Sequence, residues 1–289
     1  VPSVTYNFKF YTFVQGFKYI TLMKNIKIIF LLLLVLFTNC EKVIDVDVPS
    51  IKPKLIIDAT FEVLFDEIPV VANTVVKLSL SADYFDDTIP PVTNASVFLT
   101  NLSDNSIINF TDENEDGSYE PIISFIPADD VEYELTIIYD NETYIGKATK
   151  VKSTPFTEIV QGDETLFSGE EIELKISFTD NVDVDNYYLF NIDTYNFITI
   201  EDRFFNGTDY NFSYFYEDEN IEFPKNIDLK MSGMTKEYYT YFEILVSQGG
   251  QAGGGPFQAI PSSLLGNMIN KTNEEHFPLG YFHISETDT

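Results

Sequence analysis

From Glu170 to Phe178 the chain alternates without a break. Ile172, Leu174, Ile176 and Phe178 take one face, and Glu171, Glu173, Lys175 and Ser177 take the other. A period of two is the mark of a strand with one face buried. Similar short runs fill residues 55–61, 75–80, 95–99, 106–110, 133–139 and 143–149. They continue through 187–192, 197–200, 210–216 and 225–231. These runs are rich in β-branched and aromatic residues and are punctuated by Asp, Asn, Gly and Pro. Closely spaced short strands with polar turns predict a mainly β fold, with an antiparallel β-sandwich over 54–154. Pro155 marks a junction, and a second antiparallel β domain is expected over 155–289. One helix interrupts it, over 236–247, where Tyr238, Tyr241, Phe242 and Leu245 recur at helical spacing. Thr235 is placed to cap that helix, and Glu237 adds a favourable charge to its first turn. A glycine-rich loop over 249–255 follows, read as a flexible connector in preference to a cover over a binding surface.

The N-terminal region does not fit this pattern. Cys40 is the single cysteine, and residues 23–39 before it read as a lipoprotein signal peptide. Lys24 and Lys27 supply the positive start, and an unbroken apolar run over 28–37 supplies the core. A bilayer-spanning helix needs about 20 apolar residues, so this run is too short for a stable anchor. A thiolate is the side chain most readily alkylated by a lipid donor, and two or more acyl chains anchor stably where one does not. The expected product is a covalent lipid on Cys40. Asn39 departs from the small residue usual at that position. Residues 1–22 precede a complete signal, so Met23 is expected to be the true start and the stretch before it an upstream extension. Residues 40–53, with Pro49 and Pro53, read as a tether.

Charge narrows the partners. The whole chain has a formal net charge of −29, with 46 acidic and 17 basic residues. Every acidic residue lies after Asn39, while Lys9, Lys18, Lys24 and Lys27 lie before it, so the mature chain is more acidic still. That argues against nucleic acid and against docking flat on an anionic lipid surface. With no second cysteine there is no disulfide, and stability must come from apolar burial. A hydrophobic content of 44% suffices for real cores.

Catalytic chemistry is poorly supported. There is no G-x-S-x-G elbow, and His276 and His283 stand without a recognisable third zinc ligand. They read as ordinary surface or strand residues. The glycine loop lacks the Gly-Lys-Ser/Thr ending of a phosphate loop. Asp112, Asn114 and Asp116, followed by Gly117, match the first half of a calcium loop, but position twelve is Ile123 in place of a bidentate Glu. A β-hairpin turn explains the same residues better, with Asp-Gly supplying the positive φ. Thr88, between Asp87 and Ile89, fits a short O-glycosylation acceptor pattern. The remaining pointer is aromatic: Tyr187, Tyr188, Phe204, Phe205, Tyr210, Phe212, Tyr214 and Tyr216. Core packing accounts for alternate rings on one strand face, yet all of these cannot easily point inward. Any left exposed would suit a partner surface.

Several of these pieces carry a family resemblance. Pro91-Val92-Thr93-Asn94-Ala95-Ser96-Val97-Phe98, then Asp116-Gly117-Ser118-Tyr119, then Val131-Glu132-Tyr133-Glu134-Leu135-Thr136-Ile137 resemble a carboxypeptidase-regulatory-like or transthyretin-like β-sandwich of the immunoglobulin-like kind. The longer series resembles a Bacteroidota outer-membrane lipoprotein family, domain of unknown function 4249. It runs from Cys40-Glu41-Lys42-Val43-Ile44-Asp45 and Pro53-Lys54-Leu55-Ile56-Ile57 to Phe178-Thr179-Asp180, Asn186-Tyr187-Tyr188 and Tyr239-Thr240-Tyr241-Phe242. It ends with Gly266-Asn267-Met268-Ile269-Asn270 and Leu279-Gly280-Tyr281-Phe282. The resemblance implies a lipid-anchored outer-membrane protein facing the cell exterior, with Glu41, Lys42, Asp45 and Asp47 as a possible export signal. It implies a partner too: a β-barrel of the TonB-dependent-receptor type. The resulting expectation is a non-enzymatic accessory or scaffold subunit of such a complex, serving transport or outer-membrane protein assembly and secretion. The alternative is a surface protein that captures a peptide or glycan for uptake. A concave aromatic pocket would favour capture, and a flat aromatic patch would favour the scaffold. No cofactor beyond the lipid is expected.

Overall fold

The alternating runs become strands, and their order in space ties the two halves of the chain together. The computed structural model describes residues 52–83, 88–166, 169–182, 184–193, 196–216, 224–248 and 264–289. The signal peptide, Cys40, Glu41, Lys42, Asp45, Asp47, Asp87 and the loop 249–255 lie outside the described residues. Residues Ile51–Thr289 gather into one compact unit.

In chain order the strands are β1 (Leu55–Leu64), β2 (Val71–Asn73), β3 (Val76–Leu80), β4 (Ser96–Asn101), β5 (Ile107–Thr111) and β6 (Ser118–Pro121). Then come β7 (Glu132–Tyr139), β8 (Glu142–Thr149), β9 (Phe156–Gln161), β10 (Ile172–Thr179) and β11 (Tyr187–Ile192). The rest are β12 (Asn196–Glu201), β13 (Asp209–Tyr216), β14 (Leu229–Met234), helix α1 (Lys236–Gln248), β15 (Ile269–Asn270) and β16 (Leu279–Asp288). Thirteen strands form one sheet, with the order β12-β11-β14-β16-β1-β3-β6-β5-β4-β7-β8-β15 and β2 paired to β1. A second sheet of three strands has the order β13-β10-β9.

The long ribbon curls over a core in which Leu55, Ile57, Phe61, Leu99, Leu135, Ile137 and Phe282 are all buried. Phe61 stacks on Phe110 with centroids 6.0 Å apart and meets Phe282 edge-on at 5.4 Å. Just past β8 the ribbon nearly closes: Val151 N–H donates to the Ile284 carbonyl at 2.9 Å, and Glu286 N–H donates to the Val151 carbonyl at 2.8 Å. A second core gathers Ile176 and Phe178 of β10 with Tyr188, Phe190 and Ile192 of β11 and Met231 of β14. The β-rich character, with two sheets and one α-helix among the described residues, agrees with the sequence expectation and is consistent with a β-sandwich architecture.

The last strand departs from it. The sequence expectation is a second, antiparallel β domain over 155–289, beginning at the Pro155 junction. Instead β16 crosses back and pairs in parallel with β1, from Ile56 opposite Leu279 to Leu64 opposite Thr287. It also touches β14, with Ser232 opposite Thr287. β16 therefore stitches the first core to the second. Phe282 and Ile284 face the first core, while Tyr281 and His283 face the other way. Gly280 makes the close approach possible: its φ is +106°, and a Cβ there would stand 1.8 Å from the Ile57 carbonyl oxygen.

Helix α1 starts as expected. Thr235 Oγ1 accepts from Tyr238 N–H at 3.1 Å, an N-cap bond to the third helical residue. The helix buries Tyr238 and Phe242 against the outer face of the large sheet.

Candidate ligand-binding cleft

Strand alternation builds the floor. On β1, Leu55, Ile57, Ala59 and Phe61 point into the first core and Val63 is buried on the same side, so Ile56, Asp58, Thr60 and Glu62 point to the outer face. Parallel register sets Tyr281 beside Asp58, His283 beside Thr60 and Ser285 beside Glu62. Farther across the same face lie Lys230 and Ser232 of β14 and Leu189 and Asn191 of β11. Helix α1 covers part of this face, and what it leaves open is a cleft of about 960 Å³. That size is at the upper end of the range for small-ligand sites, which favour junctions between packed units.

The helix wall is aromatic. Tyr238, Tyr241 and Tyr281 form a continuous cluster, with Tyr281 centroids 4.8 Å and 4.9 Å from the other two rings. Tyr238 stacks on His283 at 4.2 Å and 26°. Burial keeps these phenols protonated and pushes the Tyr241 pKa up to about 12. His283 Nε2 lies 2.8 Å from the Gly233 carbonyl, and complete burial pushes its pKa down to about 4. It is therefore a neutral imidazole at neutral pH, donating from Nε2 to that carbonyl.

Charge in the cleft runs against the rest of the chain. Lys54, Lys77 and Lys230 face Asp58 and Glu62 here. Lys230 Nζ pairs with Glu62 at 2.7 Å, and Lys77 stands across the strand pair from Asp58. Lys54 Nζ sits 3.1 Å from the centre of the Phe277 ring, a cation–π contact. Desolvation lowers its pKa, and no carboxylate among the described residues pairs with it. Asn191 Oδ1 and Ser285 Oγ are buried without hydrogen-bond partners among the described residues, and both residues line the cleft.

The aromatic series named from sequence is mostly elsewhere. Tyr188 is fully buried, and Tyr187, Phe205 and Tyr216 are buried. Tyr210, Phe212 and Tyr214 pack partly buried against the second core. The expected partner surface is thus largely interior, because β10 and β13 turn their aromatic faces onto β11. Tyr188 also donates to Asp180 Oδ1 at 2.5 Å, and Tyr216 donates to Asp193 Oδ2 at 2.6 Å, which satisfies their hydroxyls inside. Phe204 alone stands out, 91% exposed on a single 3-10 turn.

Asp112, Asn114 and Asp116 form the hairpin turn between β5 and β6. Asp112 Oδ2 accepts from Gly117 N–H at 2.9 Å, and Asp116 Oδ1 accepts from Ser118 N–H at 2.8 Å. Gly117 has φ +83°, as the turn reading requires. Among the described residues no three His, Cys, Asp or Glu side chains are grouped to hold a metal ion. His276 has a different role from His283. Its Nδ1 meets Glu142 Oε1 at 2.5 Å, while Glu142 Oε2 accepts from Tyr144 at 2.7 Å and Asn270 at 2.8 Å. The Tyr144 and His276 bonds hold the Glu142 carboxyl down to about 2. This clasp fixes residues 270–276 to the β7–β8 hairpin.

The cleft residues Lys54, Asp58, Asn191, Lys230, Tyr281 and Ser285 went unnoticed in the sequence as a site. Only Tyr238 and Tyr241 carried a signal, their helical spacing, and it read as core. No solved structure and no curated protein matches the chain. The sequence pattern of one family does match, over residues 41–289, and the chain belongs to that family, described as Domain of unknown function (DUF4249).

Proposed function

We propose that this protein is a non-enzymatic, lipid-anchored outer-membrane protein that captures a ligand in the cleft between α1 and the outer face of the large sheet. One observation carries the reading: the partly exposed Tyr241 and Tyr281 line a concavity, whereas the aromatic series on β11 and β13 is largely spent on the core. A scaffold needs a flat exposed patch, and a capture protein needs a pocket. Supporting the absence of catalysis, the one imidazole in the cleft is neutral and has its Nε2 committed to the Gly233 carbonyl.

In this reading Cys40 carries the lipid, and residues 41–53 tether the ligand-binding unit at the outer membrane, facing the cell exterior. The lipid confines the protein to the membrane plane and raises its effective concentration near a barrel partner. A TonB-dependent-receptor-type β-barrel is the partner that the family resemblance supports, with the captured ligand handed on for uptake. Phe204, exposed beside Arg203, is the side chain best placed to meet such a partner.

The chain contains no tryptophan, so a single introduced indole reports without background. In the full chain, purified in mild detergent, Tyr241→Trp is expected to change its emission when a digest of cell-surface polysaccharide or of protein is added. Ile159→Trp, on the exposed strand β9, is expected to stay constant. Silence of the Tyr241→Trp probe with both digests would overturn the capture reading.

A further inference from the structure

We propose that the ligand is an elongated acidic oligosaccharide, with sugar rings lying on the tyrosine wall and a uronate carboxylate meeting Lys54. This rests on the capture reading and names the chemistry of the same cleft.

Shape comes first. The cleft follows β1 from Lys54 to Glu62, roughly 26 Å at the usual strand rise, so it suits a chain of several units better than a single small molecule. The floor is a sheet face, not a sheet edge. It offers side chains and no free backbone N–H or C=O ladder, and an extended peptide relies on such a ladder for affinity. This separates a sugar chain from a peptide.

Chemistry comes second. Tyr241 and Tyr281 present partly buried ring faces in one cluster, the arrangement on which the apolar C–H face of a pyranose packs. Deeper in, Ser285 is completely buried, lines the cleft, and has a hydroxyl without a partner among the described residues. Asn191 Oδ1 is in the same position. Orphaned buried polar atoms are costly and ask for a partner, and a ligand rich in hydroxyls supplies both donors and acceptors.

Charge comes third. In a chain with 46 acidic and 17 basic residues, a partly buried ammonium in a cleft is a natural anchor for an anionic ligand when no carboxylate holds it. Lys54 is such a group among the described residues, half-buried at one end of the cleft with the Phe277 ring against its ammonium. Lys230 is ion-paired with Glu62, and Lys77 stands opposite Asp58 in the strand register. Lys54 has no acidic residue opposite it in that register and sits at the end of the cleft, so it is the cation best placed for an anionic ligand. A carboxylate there gains a charge-assisted bond in a partly desolvated setting.

Titration calorimetry on the full chain in mild detergent tests this with defined probes. The panel holds tetramers of galacturonate, glucuronate and mannuronate, a neutral maltotetraose, and tetraglutamate as the acidic peptide. At least one uronate tetramer is expected to bind more tightly than about 1 mM, and at least tenfold more tightly than maltotetraose. Lys54→Gln is expected to remove most of that preference while leaving maltotetraose unaffected, and raised salt is expected to weaken uronate binding. Lys54→Arg should retain it. Equal binding of the neutral sugar would overturn the acidic assignment, and binding of tetraglutamate alone would overturn the saccharide assignment. Failure of the whole panel would overturn the inference. The Tyr241→Trp probe then shows separately whether the cleft still captures something else.

Discussion

Phe61→Ala is expected to destabilise the protein by about 3–5 kcal/mol, the usual cost of emptying a fully buried phenylalanine site. Phe61 has no exposed surface, and it holds Phe110 at 6.0 Å, Phe282 at 5.4 Å and Phe125 at 6.4 Å. Those rings come from β5, from β16 and from the segment after β6, so one truncation loosens three distant parts of the chain at once. The first core also lies directly under the floor of the cleft, since β1 and β16 face it with one set of side chains and the cleft with the other. Urea unfolding should show a lower midpoint with an unchanged slope, as a pure stability change requires. The same change at Phe204, a ring 91% exposed, should stay within about 0.5 kcal/mol. A loss below about 1 kcal/mol for Phe61→Ala would mean that the two faces of the sandwich do not meet there.

The second large effect is in pH. His283 has an unfolded value of 6.5 and a folded value pushed down to about 4 by burial. The unfolded chain therefore takes up the proton first as the solution is acidified. Stability is unaffected above pH 6.5, falls as pH drops from 6.5 towards 4, and has lost about 3 kcal/mol by the lower value. Glu142 acts lower down. Its folded pKa is about 2 against 4.5 unfolded, so the stability it adds is complete above 4.5 and drains away as pH falls towards 2. Denaturant midpoints measured for the wild type and for His283→Gln across this range separate the two. The glutamine amide can still donate to the Gly233 carbonyl, so the variant should be flatter between pH 6.5 and 4 and parallel to the wild type below that. Identical profiles above pH 4 would place His283 in contact with water, and the tightly packed cleft floor would then be wrong.

Much of the fold was legible because period-two alternation survives wherever one face of a strand is buried. The strand read at 187–192 matches β11 residue for residue, and Thr235 caps α1 as its position promised. β16 escaped because its two faces are both covered. Phe282 and Ile284 meet the first core, while on the other face His283 packs under Tyr238 of α1 and Ser285 is buried in the cleft floor, so polar residues sit where alternation implies water. Its parallel partner is more than two hundred residues away, and no local pattern encodes that. β2, β6 and β15 are too short to show a period, and β9 is exposed along nearly its whole length, so it carried no buried face to read. The site was less legible still. Aromatic density between Tyr187 and Tyr216 points to the second core, whereas the cleft gathers its residues from β1, β3, β11, β14, β16 and α1, which are far apart in sequence. A tyrosine on a helix stripe looks the same in sequence whether it fills a core or walls a cleft.

Hydrogen–deuterium exchange on the full chain, with and without the tightest-binding oligosaccharide, tests the cleft most directly. Ligand capture between the sheet face and the helix predicts slowed exchange in Lys236–Gln248 of α1 and in Leu55–Leu64 of β1, with Phe156–Gln161 of β9 unchanged. Protection confined to the turn around Phe204, with α1 and β1 unaltered, would contradict it.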